Sequence, residues 1–93
     1  MRKISISVQV GDFLRRLAPV PRHALRLAIS RLAQGDAGTK ALKDEFAGYR
    51  RMAEGKYRVI YLSFADRVEC LHAGRRKTIY EEFKTSETQE QQK

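Results

Sequence analysis

Apolar and polar residues alternate at the start of the chain, where Ile4, Ile6, Val8 and Val10 are separated by Ser5, Ser7 and Gln9. A period of two in β-branched residues predicts a half-buried strand. Gly11-Asp12 breaks the alternation, and Asp12 is a candidate cap for a short helix over 12–18 with Phe13 and Leu17 on one face. Pro19 and Pro21 end that helix, and Pro21 suits the first turn of a second one. From Arg22 to Gln34 the apolar residues Leu25, Ala28, Ile29 and Leu32 recur at helical spacing, Arg22 and Arg26 share another face, and Gly35 is the natural cap.

Residues 40–46 show no clear period. Three β-prone pieces follow at 49–53, 57–64 and 68–73, joined by Gly55-Lys56 and by Ala65-Asp66-Arg67. Alternation along the middle piece sets Arg58, Ile60 and Leu62 on one face and Val59 and Tyr61 on the other, with Arg58 expected near the rim. Thr78 to Lys84 fits a final strand or a short helix. The order β-α-α-β-β-β predicts one α+β domain over 1–84, an antiparallel-rich sheet with a two-helix hairpin on one face. Residues 85–93 contain no apolar side chain and read as a disordered polar tail.

Charge sharpens the picture. Nineteen Lys and Arg stand against eleven Asp and Glu in 93 residues, a formal net charge of +8. Residues 1–80 alone hold seventeen basic and seven acidic side chains, so the folded body is more basic than the whole. Self-repulsion of that size points to an anionic partner. No apolar run is long enough for a membrane span, and the first residues offer no signal-peptide core. Cys70 is the only cysteine, and His23 and His72 are far apart, so neither a disulfide framework nor a local metal motif is expected. The expected setting is a reducing cytoplasm, with no metal and no cofactor.

The cations gather in the second half of the chain: Arg50, Arg51, Lys56, Arg58, Arg75, Arg76 and Lys77, interleaved with Tyr49, Tyr57, Tyr61 and Tyr80. Antiparallel neighbours lie about 5 Å apart, so such groups can converge on one sheet face. Guanidinium forks suit phosphate oxygens, and tyrosine offers both a stacking surface and a hydroxyl. RNA carries its own nucleophile, the 2′-OH, so positioning, a proton acceptor and cations are sufficient for its cleavage. A solvated basic face that only binds nucleic acid has the same composition. Tyr57 and Tyr61 also read as packing residues, His72 as structural and Cys70 as a small buried hydrophobe.

Three segments in order, Gly48-Tyr49-Arg50-Arg51, Gly55-Lys56-Tyr57-Arg58-Val59-Ile60-Tyr61 and Gly74-Arg75-Arg76-Lys77-Thr78-Ile79-Tyr80, together resemble the RelE/ParE superfamily of bacterial toxins from toxin–antitoxin pairs. The resemblance covers roughly residues 3–83. It implies a microbial RNase-like fold and a ribosome-dependent mRNA endonuclease, or interferase, that inhibits translation by cutting mRNA through its own 2′-OH. It implies that Arg58 holds the scissile phosphate, that Arg76 does the same or protonates the leaving oxygen, and that Tyr80 acts as or orients the general base. Arg50 and Arg51 would position the RNA backbone, and Lys56, Arg75 and Lys77 would add to its binding. Where relatives often carry a second basic residue on the first of these strands, this chain has Ala53. The resemblance further implies an acidic antitoxin, the ribosome and mRNA as partners. The ParE branch, which inhibits DNA gyrase by protein–protein binding, shares the fold and the Gly74-Arg75-Arg76 turn. Tyr80 together with Arg58 favours the nuclease.

Overall fold

Ser7 both ends the first strand and starts the first helix. The strand β1 spans Lys3–Ile6 and the helix α1 spans Val8–Arg16. The Ser7 hydroxyl accepts from the Val10 N–H at 3.1 Å and donates to the Leu71 carbonyl at 2.8 Å. A serine cap of this kind overrides the alternation predicted through Val10. The expected start at Asp12 is therefore displaced, and Asp12 instead pairs with Arg15 one turn on. Inside α1, Val10 and Leu14 are buried one turn apart, while Val8 points to solvent.

The structure, a computed structural model, describes residues 1–91, with side chains to residue 86. Pro19 opens α2, Pro19–Arg31, where its missing N–H costs no helical bond. Leu25, Ala28, Ile29 and Leu32 are all buried, as their spacing predicts. After Arg31 the chain tightens into i→i+3 bonds that run to Gly35, so the regular helix is shorter than the periodicity suggests.

The remaining elements are β2 (Lys40–Ala41), a single 3-10 turn (Asp44–Phe46), β3 (Arg50–Glu54), β4 (Tyr57–Ser63), β5 (Arg67–Arg75) and α3 (Ile79–Gln91). They form one five-stranded sheet in the order β1-β5-β4-β3-β2. β1 runs parallel to β5 and every other pair is antiparallel. Gly55, with φ +58°, supplies the left-handed residue of the two-residue β3–β4 turn. A bulge at Ile60/Tyr61 gives β5 an extra residue, Leu71, and brings Leu71 and His72 to the same side.

Both faces of the sheet are covered. α1 and α2 pack on Met52, Tyr57, Val59, Tyr61, Val68, Cys70 and Ala73. On the other face Ile60 meets Ile79 and Phe83 of α3, with Leu42, Phe46, Tyr49, Leu71 and Tyr80 around them. Each fully buried aliphatic side chain there contributes roughly 1.5–3 kcal/mol. The final segment is therefore a helix, and its packed first turns carry helix-forming Glu and Gln on to Gln91, where composition predicts a disordered tail from residue 85. Residues 92 and 93 of that expected tail lie outside the described residues. Among the described residues no helix is long and apolar enough to cross a membrane.

Candidate functional site

Arg58 is the centre of the candidate site. Its side chain lies on the α3 side of β4, as the alternation predicts, but it is buried at 8% exposure rather than standing at a rim. Nη1 donates to the carbonyls of Gly55 at 2.7 Å and Tyr57 at 2.8 Å, while Nε is buried with no partner. Burial, and then the charges of Arg51 and Arg76, push the guanidinium below its ordinary pKa, with the Tyr80 oxygen pulling the other way. Among the described residues no carboxylate forms an ion pair with Arg58. A buried cation surrounded by cations is expensive unless an anion joins it.

Arg51 reaches the same place from β3. It is the register partner of Ile60, and paired residues of an antiparallel ladder share a face. Its Nη1 donates to the Tyr80 hydroxyl at 3.5 Å, the limit of a hydrogen bond. Tyr80, half-buried in the first turn of α3, sets its ring against Phe46 at 5.6 Å between centroids. Arg76 is exposed in the turn between β5 and α3, and its N–H donates to the Lys56 carbonyl at 2.9 Å. That bond ties the β3–β4 turn to the β5–α3 turn. Arg51, Arg58, Arg76 and Tyr80 are thus gathered by β3, β4, the β5–α3 turn and α3.

The other basic residues divide. Lys56 and Lys77 are exposed in the two tied turns, at the same end of the sheet. Arg75 is exposed too, but it is the register partner of Tyr57, whose ring belongs to the face under the hairpin. Arg50 is turned away from Arg58 altogether. It pairs with Tyr61, donates from Nε and Nη2 to the Thr39 hydroxyl at 3.2 and 3.1 Å, and lies 4.0 Å from Asp36.

Asp36 explains that orientation. Its carboxylate accepts from Arg2 at 2.9 Å, from the Tyr61 hydroxyl at 2.9 Å and from the Ser63 hydroxyl at 2.7 Å. Burial alone would raise its pKa. The bonds from Ser63, Arg2 and Tyr61, with the charge of Arg2, overcome this and bring it down to about 2. Nothing in the loop sequence around Asp36 marks it as a hub, because its partners come from Arg2 just ahead of β1 and from β3 and β4. Tyr57 and Tyr61 are buried packing residues, and Cys70 is buried as expected. His72, read as structural, is buried on the α3 side with Nε2 unpartnered and the Glu82 carboxylate 3.9 Å away. Among the described residues no three His, Cys, Asp or Glu side chains come together as a metal site.

No protein-family model matches the chain, and no curated protein matches its sequence. Solved structures do match its fold. The toxin–antitoxin complex RelBE2 from Mycobacterium tuberculosis matches with a TM-score of 0.70 at 23% identity, over 81% of this chain and 91% of that one. A RelB–RelE antitoxin–toxin complex from Methanococcus jannaschii gives a TM-score of 0.64 at 19% identity, over 84% and 96%. YafQ from Escherichia coli gives 0.63 at 18% identity, over 84% and 97%. The five-stranded sheet with its helices on both faces is therefore the RelE-like toxin fold.

Proposed function

From this shared fold we propose that the chain is the toxin of a toxin–antitoxin pair, and that it acts as a metal-independent endoribonuclease on mRNA at the ribosome. The observation that carries the proposal is the buried Arg58. It has an unpartnered Nε and no counter-ion among the described residues, and Arg51, Arg76 and Tyr80 stand around it. Such a site is built for an anion that the protein itself does not supply. A phosphodiester fits, because guanidinium forks match its oxygens and hold charge at any working pH.

The reaction needs only the groups already gathered. The ribose 2′-oxygen attacks the adjacent phosphorus and the bond from phosphorus to the 5′-oxygen breaks. The products are a 2′,3′-cyclic phosphate and a 5′-hydroxyl. Arg58 binds the non-bridging oxygens, whose negative charge grows in the transition state. Tyr80 takes the 2′-OH proton as its phenolate, or orients the water that takes it, with Arg51 donating to its oxygen. Arg76, exposed at the mouth of the site, stabilises the negative charge growing on the leaving 5′-oxygen, which takes its proton from solvent water. The ribosome, as the source of the bound mRNA, supplies the alignment that such a sparse set of side chains requires.

An antitoxin for this body would be acidic. Seventeen basic side chains in the first eighty residues give it a strong field for a negatively charged protein. The test is cleavage in a translation reaction, mapped by primer extension on the mRNA. Arg76→Ala and Tyr80→Phe are expected to lose cutting. Cutting by both at the parent rate overturns the assigned roles, and intact mRNA with accumulated gyrase–DNA complexes overturns the nuclease reading in favour of gyrase inhibition.

A further inference from the structure

One arrangement under α3 is not used by the proposed chemistry. His72 faces α3 from β5, opposite Ile60, with Nε2 buried and unsatisfied. An apolar side chain would fill that place without an unpaired nitrogen. The Glu82 carboxylate reaches down from α3 and stops 3.9 Å from Nε2, just beyond hydrogen-bond range. Glu82 also overhangs Gly74, where a Cβ would come within 2.7 Å of its Oε1 and 3.6 Å of the Ile79 side chain. Thus β5 offers an imidazole at 72 and a gap at 74, and one carboxylate is fitted to both.

The helix that carries Glu82 also carries Tyr80. α3 turns Ile79, Glu82 and Phe83 toward the sheet, the i, i+3, i+4 set of one face. The Phe83 ring lies 6.1 Å from the His72 ring. Tyr80 follows Ile79 on the same turn, so the rotation and depth of α3 fix where its hydroxyl stands.

We infer that His72 is a positioning residue acting through Glu82: their contact is a latch that sets the seat of α3 on the sheet, and with it the hydroxyl of Tyr80. The inference rests on the proposed role of Tyr80. When His72 takes up a proton, both ring nitrogens are N–H donors on a cation, and closing the gap gives a charge-assisted bond from Nε2 to Glu82 that draws α3 toward β5. The charged and titratable groups on this side of the sheet include Glu82, Tyr80 and Lys84 from α3, Glu45 from the 3-10 turn, Glu69 from β5, Arg58 from β4, Arg51 from β3 and Arg76 from the β5–α3 turn, and of these Glu82 is the one whose charge acts on the imidazole. Burial holds the imidazole below its usual range, and Glu82 pulls it part of the way back. The latch is therefore open at neutral pH and closes in acid.

The experiment is an NMR pH titration of the full-length protein that follows the His72 and Tyr80 ring signals, beside Glu82→Gln and Gly74→Ala. In the parent the Tyr80 signals should move with the His72 midpoint. In Glu82→Gln, at a half-exposed position that leaves the fold intact, the His72 midpoint should move to lower pH and the Tyr80 signals should stop following it. Gly74→Ala should uncouple the two rings with both latch residues present, because its Cβ displaces the carboxylate. In cleavage assays below the His72 midpoint, where the latch is closed, Glu82→Gln should lose roughly tenfold in kcat at unchanged RNA affinity, and above that midpoint it should match the parent. Tyr80 signals indifferent to the His72 titration, or a His72 midpoint unmoved by Glu82→Gln, overturn the inference. Coupled titration in a parent that cuts no RNA overturns the nuclease reading and supports the latch.

Discussion

Ala53 and Arg58 are register partners across β3 and β4, so the residue directly beside the buried Arg58 on β3 contributes only an exposed methyl group. The same pairing places any longer side chain at 53 on the Arg58 face.

Ala53→Lys should consequently add one more phosphate contact to the site. RNA binding is expected to tighten, and the slope of log K against log salt should steepen by about 1. Because position 53 is exposed, stability should change by no more than about 0.5 kcal/mol. Fluorescence binding to a short single-stranded RNA at several salt concentrations measures the slope. An unchanged slope would place position 53 outside the RNA path.

Asp36 holds together four parts of the chain, and its titration should be visible in stability. Its folded pKa of about 2 lies below the 3.8 of an ordinary aspartate. A depressed acid stabilises the fold above its unfolded pKa, and that contribution is lost as pH falls through 3.8 toward 2. The difference corresponds to roughly 2 kcal/mol. Asp36→Ala should cost about 2–4 kcal/mol at pH 7, because Arg2, Tyr61 and Ser63 lose their common acceptor. Urea denaturation at pH 7 and at pH 3 tests both statements: the deficit of Asp36→Ala should shrink in acid.

Cys70 offers a probe of global opening. Burial drives its thiol up to about 12, and it lies between α1 and the sheet. A buried thiol held in its neutral form does not attack disulfide reagents. Labelling by an aromatic disulfide should therefore be slow in the native protein and should track global unfolding as urea is added. Fast labelling without urea would mean that β5 opens locally.

Much of this architecture is legible in the sequence. The stripe of Leu25, Ala28, Ile29 and Leu32, the Gly55 turn and the alternation of Val59, Ile60 and Tyr61 each state their own burial. What escapes is set by non-local partners. Val8 and Val10 continue the alternation of the first strand, yet the Ser7 cap, held by the Leu71 carbonyl, makes them helical. Arg50 and Arg51 are equivalent by composition, but register sends Arg51 to Tyr80 and Arg50 to the Asp36 network. Similarly, only the pairing of β4 with β5 and the docking of α3 bring His72 to Glu82.

Replacing Arg58 should separate stability from function. Its guanidinium is buried, its Nε is unpartnered, and the nearby charges of Arg51 and Arg76 repel it. Two carbonyl bonds, to Gly55 and Tyr57, offset part of that cost. Arg58→Met keeps much of the side-chain volume and removes both the desolvation penalty and the repulsion. The variant should be at least as stable as the parent, and more stable by about 1 kcal/mol if the charge terms outweigh the two lost bonds. Cleavage should fall about a hundredfold or more, because the transition-state charge loses its innermost donor. Arg58→Lys restores the charge without the fork, so it should recover little activity and none of the stability. Denaturation midpoints and cleavage rates on the same three preparations decide the matter. A destabilised Arg58→Met protein would identify the arginine as a structural brace for the β3–β4 turn, whereas a stabilised and inactive one is what an anion site with its ligand missing must give.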